Sequence, residues 1–129
     1  RPRGGQRPPA PAPGKALIMQ PQLTADFWVH AYLTRLRLAD IPAYVVARGD
    51  ATAGAVMVKL ATLDGQATLF QRLFDLMEDR RRWTVLAQGA EAEIDAQITR
   101  ERARDRDLWV IEVEDRAGRH LLDEPGLDG

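Results

Sequence analysis

Two rhythms of apolar spacing divide this chain into seven elements. Between Leu23 and Asp40, Val29, Leu33 and Leu36 keep the i, i+4, i+7 spacing of a helix, and Trp28, Tyr32 and Ala39 widen that face. Asp26, His30, Thr34 and Arg37 line the opposite side. Thr24 suits the N-cap, and Asp26 sits where the helix dipole favours an acid. Pro42 disfavours helical geometry at Ile41 and ends the run. Ala43 to Arg48 reads as a strand rich in β-formers, followed by a turn over 49–53. Gly54 to Thr62 is a second strand, with Val56, Val58 and Leu60 on one face and Met57 and Lys59 on the other. Asp64-Gly65 signals a tight hairpin into a third strand, Gln66 to Phe74. Its faces stay open, because Ala67, Leu69 and Leu73 compete with Phe70 and Phe74.

A charged connection over 75–81 leads to a fourth strand, Arg82 to Gln88, with Trp83, Val85 and Ala87 on one face. Gly89 breaks the run, and Ala90 to Asp105 forms a second helix. Only Ile94 and Ile98 give that helix an apolar stripe, and Glu91 and Glu93 lie at its positive end. Leu108 to Asp115 is a fifth strand, with Trp109, Ile111 and Val113 facing one way and Val110, Glu112 and Glu114 the other. The expected fold is α+β, in the order α-β-β-β-β-α-β. A mainly antiparallel four- to five-stranded sheet carries two helices on one face. The other face is expected to be solvated and to present Lys59, Arg82, Thr84, Glu112 and Glu114.

Charge changes the picture of the ends. The net charge of −1 is the sum of +4 over residues 1–22 and −5 over residues 23–129. Six of the eight prolines also fall in residues 1–22, so that segment reads as a disordered, basic, Pro-rich tail. Met19 is a plausible start, which leaves residues 1–18 open as non-native sequence. A single domain is expected over 23–124, with a C-terminal turn over 125–129.

Several chemistries are absent. The chain has no cysteine, serine or asparagine, which removes disulfides, thiolate and seryl nucleophiles, Cys-type zinc sites and N-glycosylation. His30 and His120 are the only histidines. Arginine outnumbers lysine 16 to 2, as a GC-rich genome also produces, so arginine content is no sign of nucleic-acid binding. Arg100, Arg102, Arg104 and Arg106 split between helix faces and alternate with acids. No stretch reaches the ~18–20 apolar residues of a membrane-spanning helix.

The candidate chemistry is sparse. Glu112 and Glu114 project side by side about 6–7 Å apart, a spacing that binds a hard cation or divides acid and base roles. Lys59 or Arg82 across the sheet is the alternative, a neutralising partner. Arg48-Gly49-Asp50 and the following Ala-Thr-Ala-Gly permit close backbone approach, and Arg48 and Thr52 are suited to holding an anion. The bland reading of that stretch is a hairpin loop. The strand-helix-strand order also resembles half of a GCN5-like acetyltransferase. However, the turn at Gln88 to Glu93 has one glycine and two acids where pyrophosphate should sit.

LTADFWVHAYL at 23–33, RGDATAGAVMVKL at 48–60, LFQR at 69–72, DLWVIEVED at 107–115 and LLDEPG at 121–126 resemble a small, uncharacterised alphaproteobacterial domain-of-unknown-function family of about a hundred residues. The resemblance implies a cytoplasmic bacterial protein and carries over no activity or catalytic residue. The reading is a small binding or interaction module without catalysis or cofactor. Its partner is a protein or a small anionic ligand, and the −5 body argues against nucleic acid. The candidate binding residues are Arg48, Asp50, Thr52, Lys59, Arg72, Glu112 and Glu114. The alternatives are an enzyme using Glu112 and Glu114, with or without a divalent cation, and an RNA-associated protein using the basic tail.

Overall fold

The computed structural model describes residues 23–75 and 80–128. The expected tail at 1–22, with its RNA reading, and the centre of the 75–81 connection therefore lie outside the described residues. The elements are α1 (Ala25–Leu38), β1 (Ala43–Ala47), β2 (Val56–Ala61), β3 (Gln66–Asp75), β4 (Arg80–Ala90), α2 (Glu91–Arg104) and β5 (Trp109–Glu114). The α+β class and the element order agree with the sequence.

The sheet order is β1-β5-β2-β3-β4. β5 enters between β1 and β2, antiparallel to β1 and parallel to β2, and the remaining pairs are antiparallel. β3 and β4 pair as far as Asp75 and Arg80, so the described ends of the expected charged connection, Asp75, Arg80 and Arg81, are strand. Their register shifts between Leu69 and Phe70, where Leu69 faces Ala87 and Phe70 faces Val85. This bulge moves Ala87 off the Trp83 face that simple alternation assigns it.

The helices do not share a face. α1 packs Trp28, Val29, Tyr32 and Leu36 on Val56, Val58, Leu60, Trp109, Ile111 and Val113. α2 packs Ile94 and Ile98 on the other side, against Met57, Ala67, Leu69 and Val110. The expectation of two helices on one face is therefore corrected. The reason lies in the central strands: all six residues of β2 are buried, and the near-continuous apolar runs of β2 and β5 need cover on both sides. The open choice in β3 resolves the same way. Ala67 and Leu69 face α2, and Phe70 packs on the α1 side.

Backbone, not side chains, caps the helices. Thr24 makes no side-chain cap, since its hydroxyl donates to Asp26. The Ala25 and Asp26 N–H groups donate instead to the Thr52 and Ala51 carbonyls. Likewise Glu91 N–H donates to Gly65 O in the β2–β3 hairpin. After β5 the chain returns under α1. Tyr32 Oη donates to His120 O, Arg35 to Pro125 O, and the Trp83 indole to Leu127 O. Leu122 and Leu127 are buried there, so the α1-side core reaches into the expected C-terminal turn.

Candidate functional site

Glu112 and Glu114 lie on the α2 side of β5, pairing with Lys59 and Ala61 of β2. That face is not solvated there. Lys59 is only 3% exposed, and its ammonium donates to Glu91 Oε2 at 2.8 Å, Asp95 Oδ1 at 2.7 Å and Glu112 Oε1 at 3.4 Å. Burial opposes this charge, yet the hydrogen bonds that Lys59 donates to Asp95 and Glu91, and the Glu112 charge, hold the lysine above its usual pKa. Burial pushes Glu112 up, with Lys59 pulling the other way. Glu114 bonds the Tyr44 phenol and, with Glu112, raises its pKa. The cation between these carboxylates is thus a lysine of the chain itself. Among the described residues no group of three or more histidines and acids is placed to hold a metal ion.

Glu91 and Asp95 were not among the sequence candidates. Their signal was present: Glu91, Ile94, Asp95 and Ile98 share one helical stripe, so both acids ride on the face that the isoleucines bury.

The 48–54 loop is built for structure. Asp50 Oδ2 accepts the Thr52 and Ala53 N–H groups, and Asp50 O accepts the Trp109 indole at 2.7 Å. Arg48 stacks 5.0 Å over the Trp109 ring. A Cβ on Gly49 overlaps the Asp107 carbonyl oxygen and falls 2.7 Å from Trp109 Cδ1, so only glycine lets the two backbones approach. Arg102 fastens the outside of this corner, donating to the Arg48, Arg106 and Leu108 carbonyls. The arginine series therefore includes one structural clamp, not only solvated charge.

Thr52 and Arg72 meet in a cleft of about 270 Å³ with Thr24, Ala25, Gly54 and Arg81. It lies at the first turn of α1, on the sheet side opposite Lys59. Arg72 stacks over Trp28 and Trp83, 5.5 and 5.6 Å from their ring centres. Burial, and then the neighbouring Arg81 charge, lower the Arg72 pKa. The buried Trp28 Nε1 has no hydrogen-bond partner among the described residues. The candidates thus fall into separate places. Lys59, Glu112 and Glu114 form one cluster, Arg48 and Asp50 form the loop frame, and Thr52 and Arg72 form the cleft. Arg81 was missed because the charged connection was expected to run to it. In fact it is a β4 residue paired with Phe74.

A second cleft, of about 290 Å³, is lined by Phe70, Arg82, Trp83, His120, Asp123 and Asp128. His120 Nδ1 accepts the Leu122 N–H, and burial lowers the imidazole pKa.

Among the described residues these features define a small α+β domain, with one helix on each side of a five-stranded sheet and no helix long and apolar enough to cross a membrane. The chain belongs to the DUF1491 family of proteins of unknown function, whose profile matches residues 23–123. It is similar to the crystal structure of a DUF1491 family protein from Caulobacter crescentus CB15, at 40% identity and a TM-score of 0.70, covering 80% of this chain and 95% of that one. An NMR structure of a DUF1491 family protein from the same organism gives 40% identity and a TM-score of 0.69, over 80% and 94% of the two chains. A solution structure from A. tumefaciens gives 32% identity and a TM-score of 0.62, over 71% and 85%. No curated protein matches the chain. The resemblance seen in the sequence is therefore to this family, with alphaproteobacterial relatives.

Proposed function

We propose that this domain is a non-catalytic binding module that takes a small anionic ligand in the Thr24–Thr52–Arg72–Arg81 cleft. One observation carries the reading: Arg72 and Arg81 line one cleft with Thr52 at the first turn of α1, and no carboxylate is among the described residues lining it. Guanidinium forks match phosphate and carboxylate oxygens, and the helix dipole adds to their field. The Lys59 cluster supports the non-catalytic part, because Glu112 is spent on a neighbouring ammonium. The same reading keeps the protein in the cytoplasm, as the family resemblance implies.

Calorimetric titration with inorganic phosphate, pyrophosphate and citrate tests this. The reading predicts saturable binding that weakens with salt and drops about tenfold or more in Arg81→Gln, the worth of one charge-assisted hydrogen bond. Absence of heat for all three anions at low salt, or unchanged binding by Arg81→Gln, overturns it.

A further inference from the structure

α1 carries a second apolar stripe, on the side away from the core. Phe27, Ala31, Thr34 and Leu38 recur at steps of three and four residues, and Leu23 lies just before the first turn. Leu23 is 54% exposed, Phe27 59% and Leu38 77%. The buried residues Trp28, Val29, Tyr32 and Leu36 occupy the other side of the helix. A helix with apolar rows on both sides has one row left to cover.

We propose that a second copy of this chain covers the stripe, with the two α1 helices antiparallel across a two-fold axis near His30 and Ala31. The stripe reads almost the same in both directions from that point. Antiparallel pairing sets Phe27 against Thr34, a large ring facing a small side chain, and brings Leu38 to the start of the partner helix, where the exposed Leu23 precedes the first turn. Ala31 at the centre lets the helices approach closely. A two-fold contact requires this self-complementarity, because residue i meets j while j meets i.

Charge selects the direction and the partner. Asp26 and Arg37 are both exposed, lie three turns apart and share one flank of the stripe. Antiparallel pairing sets Asp26 of each copy beside Arg37 of the other, giving two ion pairs. Parallel pairing brings opposite flanks together and leaves these ion pairs unmade. The Arg35 guanidinium on the other flank is already held by Pro125 O and Glu124, so it does not compete. One helix pair covers less than the roughly 1,200 Å² of a standard interface, so the dimer is weak, with a dissociation constant of about 10–500 µM.

Sedimentation equilibrium of the full chain from about 10 µM to 1 mM tests the proposal across that range. The expected result is a monomer–dimer equilibrium. Phe27→Glu and Leu38→Glu should abolish it while leaving the circular dichroism spectrum unchanged, since both side chains are exposed. Asp26→Arg and Arg37→Asp should each weaken the dimer about fivefold, and the two together should restore it. A chain that stays monomeric throughout overturns the proposal. So does a dimer indifferent to Phe27→Glu, or one that forms only after residues 1–22 are removed.

Discussion

Lys59→Met is the sharpest perturbation of the folded unit. Methionine keeps most of the aliphatic stem between β3 and β5 and removes the ammonium. Three carboxylates then lose their shared cation. Their side chains are 36%, 56% and 18% exposed for Glu91, Asp95 and Glu112. Removing one partner of a fully buried pair costs about 3–5 kcal/mol. Here Glu91 and Asp95 can turn to water, so Glu112 carries most of the penalty and about 1.5–3 kcal/mol is expected. At roughly 4–8 °C per kcal/mol for a domain of this size, the melting temperature falls by about 6–24 °C. Circular dichroism melts and urea titrations at pH 7 measure it. Adding Glu112→Leu should recover more than half of the loss, because an apolar pair of similar volume tolerates burial. The deficit should also shrink between pH 7 and pH 4.5, as the raised carboxyl of Glu112 protonates and the orphaned charge disappears. A variant within about 0.5 kcal/mol of the parent, the range of ordinary surface changes, refutes the argument, as does a deficit indifferent to pH.

Other consequences follow from the same geometry. Gly49→Ala should destabilise by about 3 kcal/mol in urea, because the new methyl meets backbone at Asp107 rather than a yielding side chain. An unchanged midpoint would show that the loop has room. His120 supplies a pH dependence on the acid side. Its pKa is lowered by burial, so the unfolded chain binds a proton that the folded one resists. Stability is full above the ordinary histidine value and falls as pH drops below it toward the folded value. Melting temperatures from pH 8 to 5 should show that fall, and His120→Gln should flatten it.

The periodic parts of the fold were legible because one rule governed them. The helical spacing of Val29 and Leu36, the Asp64-Gly65 turn and the alternation in 108–115 each placed an element within a few residues. The errors share a physical cause. The charge of Lys59, Glu112 and Glu114 points to a solvent-facing strand surface, whereas Met57 and Val110 on the same face call for cover. A buried lysine is decided by partners on another element, and Glu91 and Asp95 are more than thirty residues from it in sequence. The bulge that redirects Ala87 left no mark in the alternation. The cleft was half visible: Thr52 and Arg72 were named. Their meeting depends on the 51–52 carbonyls capping α1, and on β4 beginning early enough to bring in Arg81. Neither is a local property of the chain.

The anion cleft is tested most directly by the Trp28 indole resonance. Its N–H has no hydrogen-bond partner among the described residues, and its ring stacks on Arg72, so it reports any change at that guanidinium. In a ¹⁵N-correlated NMR titration with pyrophosphate, the Trp28 indole signal should move together with the Thr24, Thr52, Gly54 and Arg81 amides. The Ile94 and Asp95 amides, on the far side of the sheet, should stay in place. A spectrum in which those amides and the Trp28 indole remain fixed, while signals elsewhere move, contradicts the account.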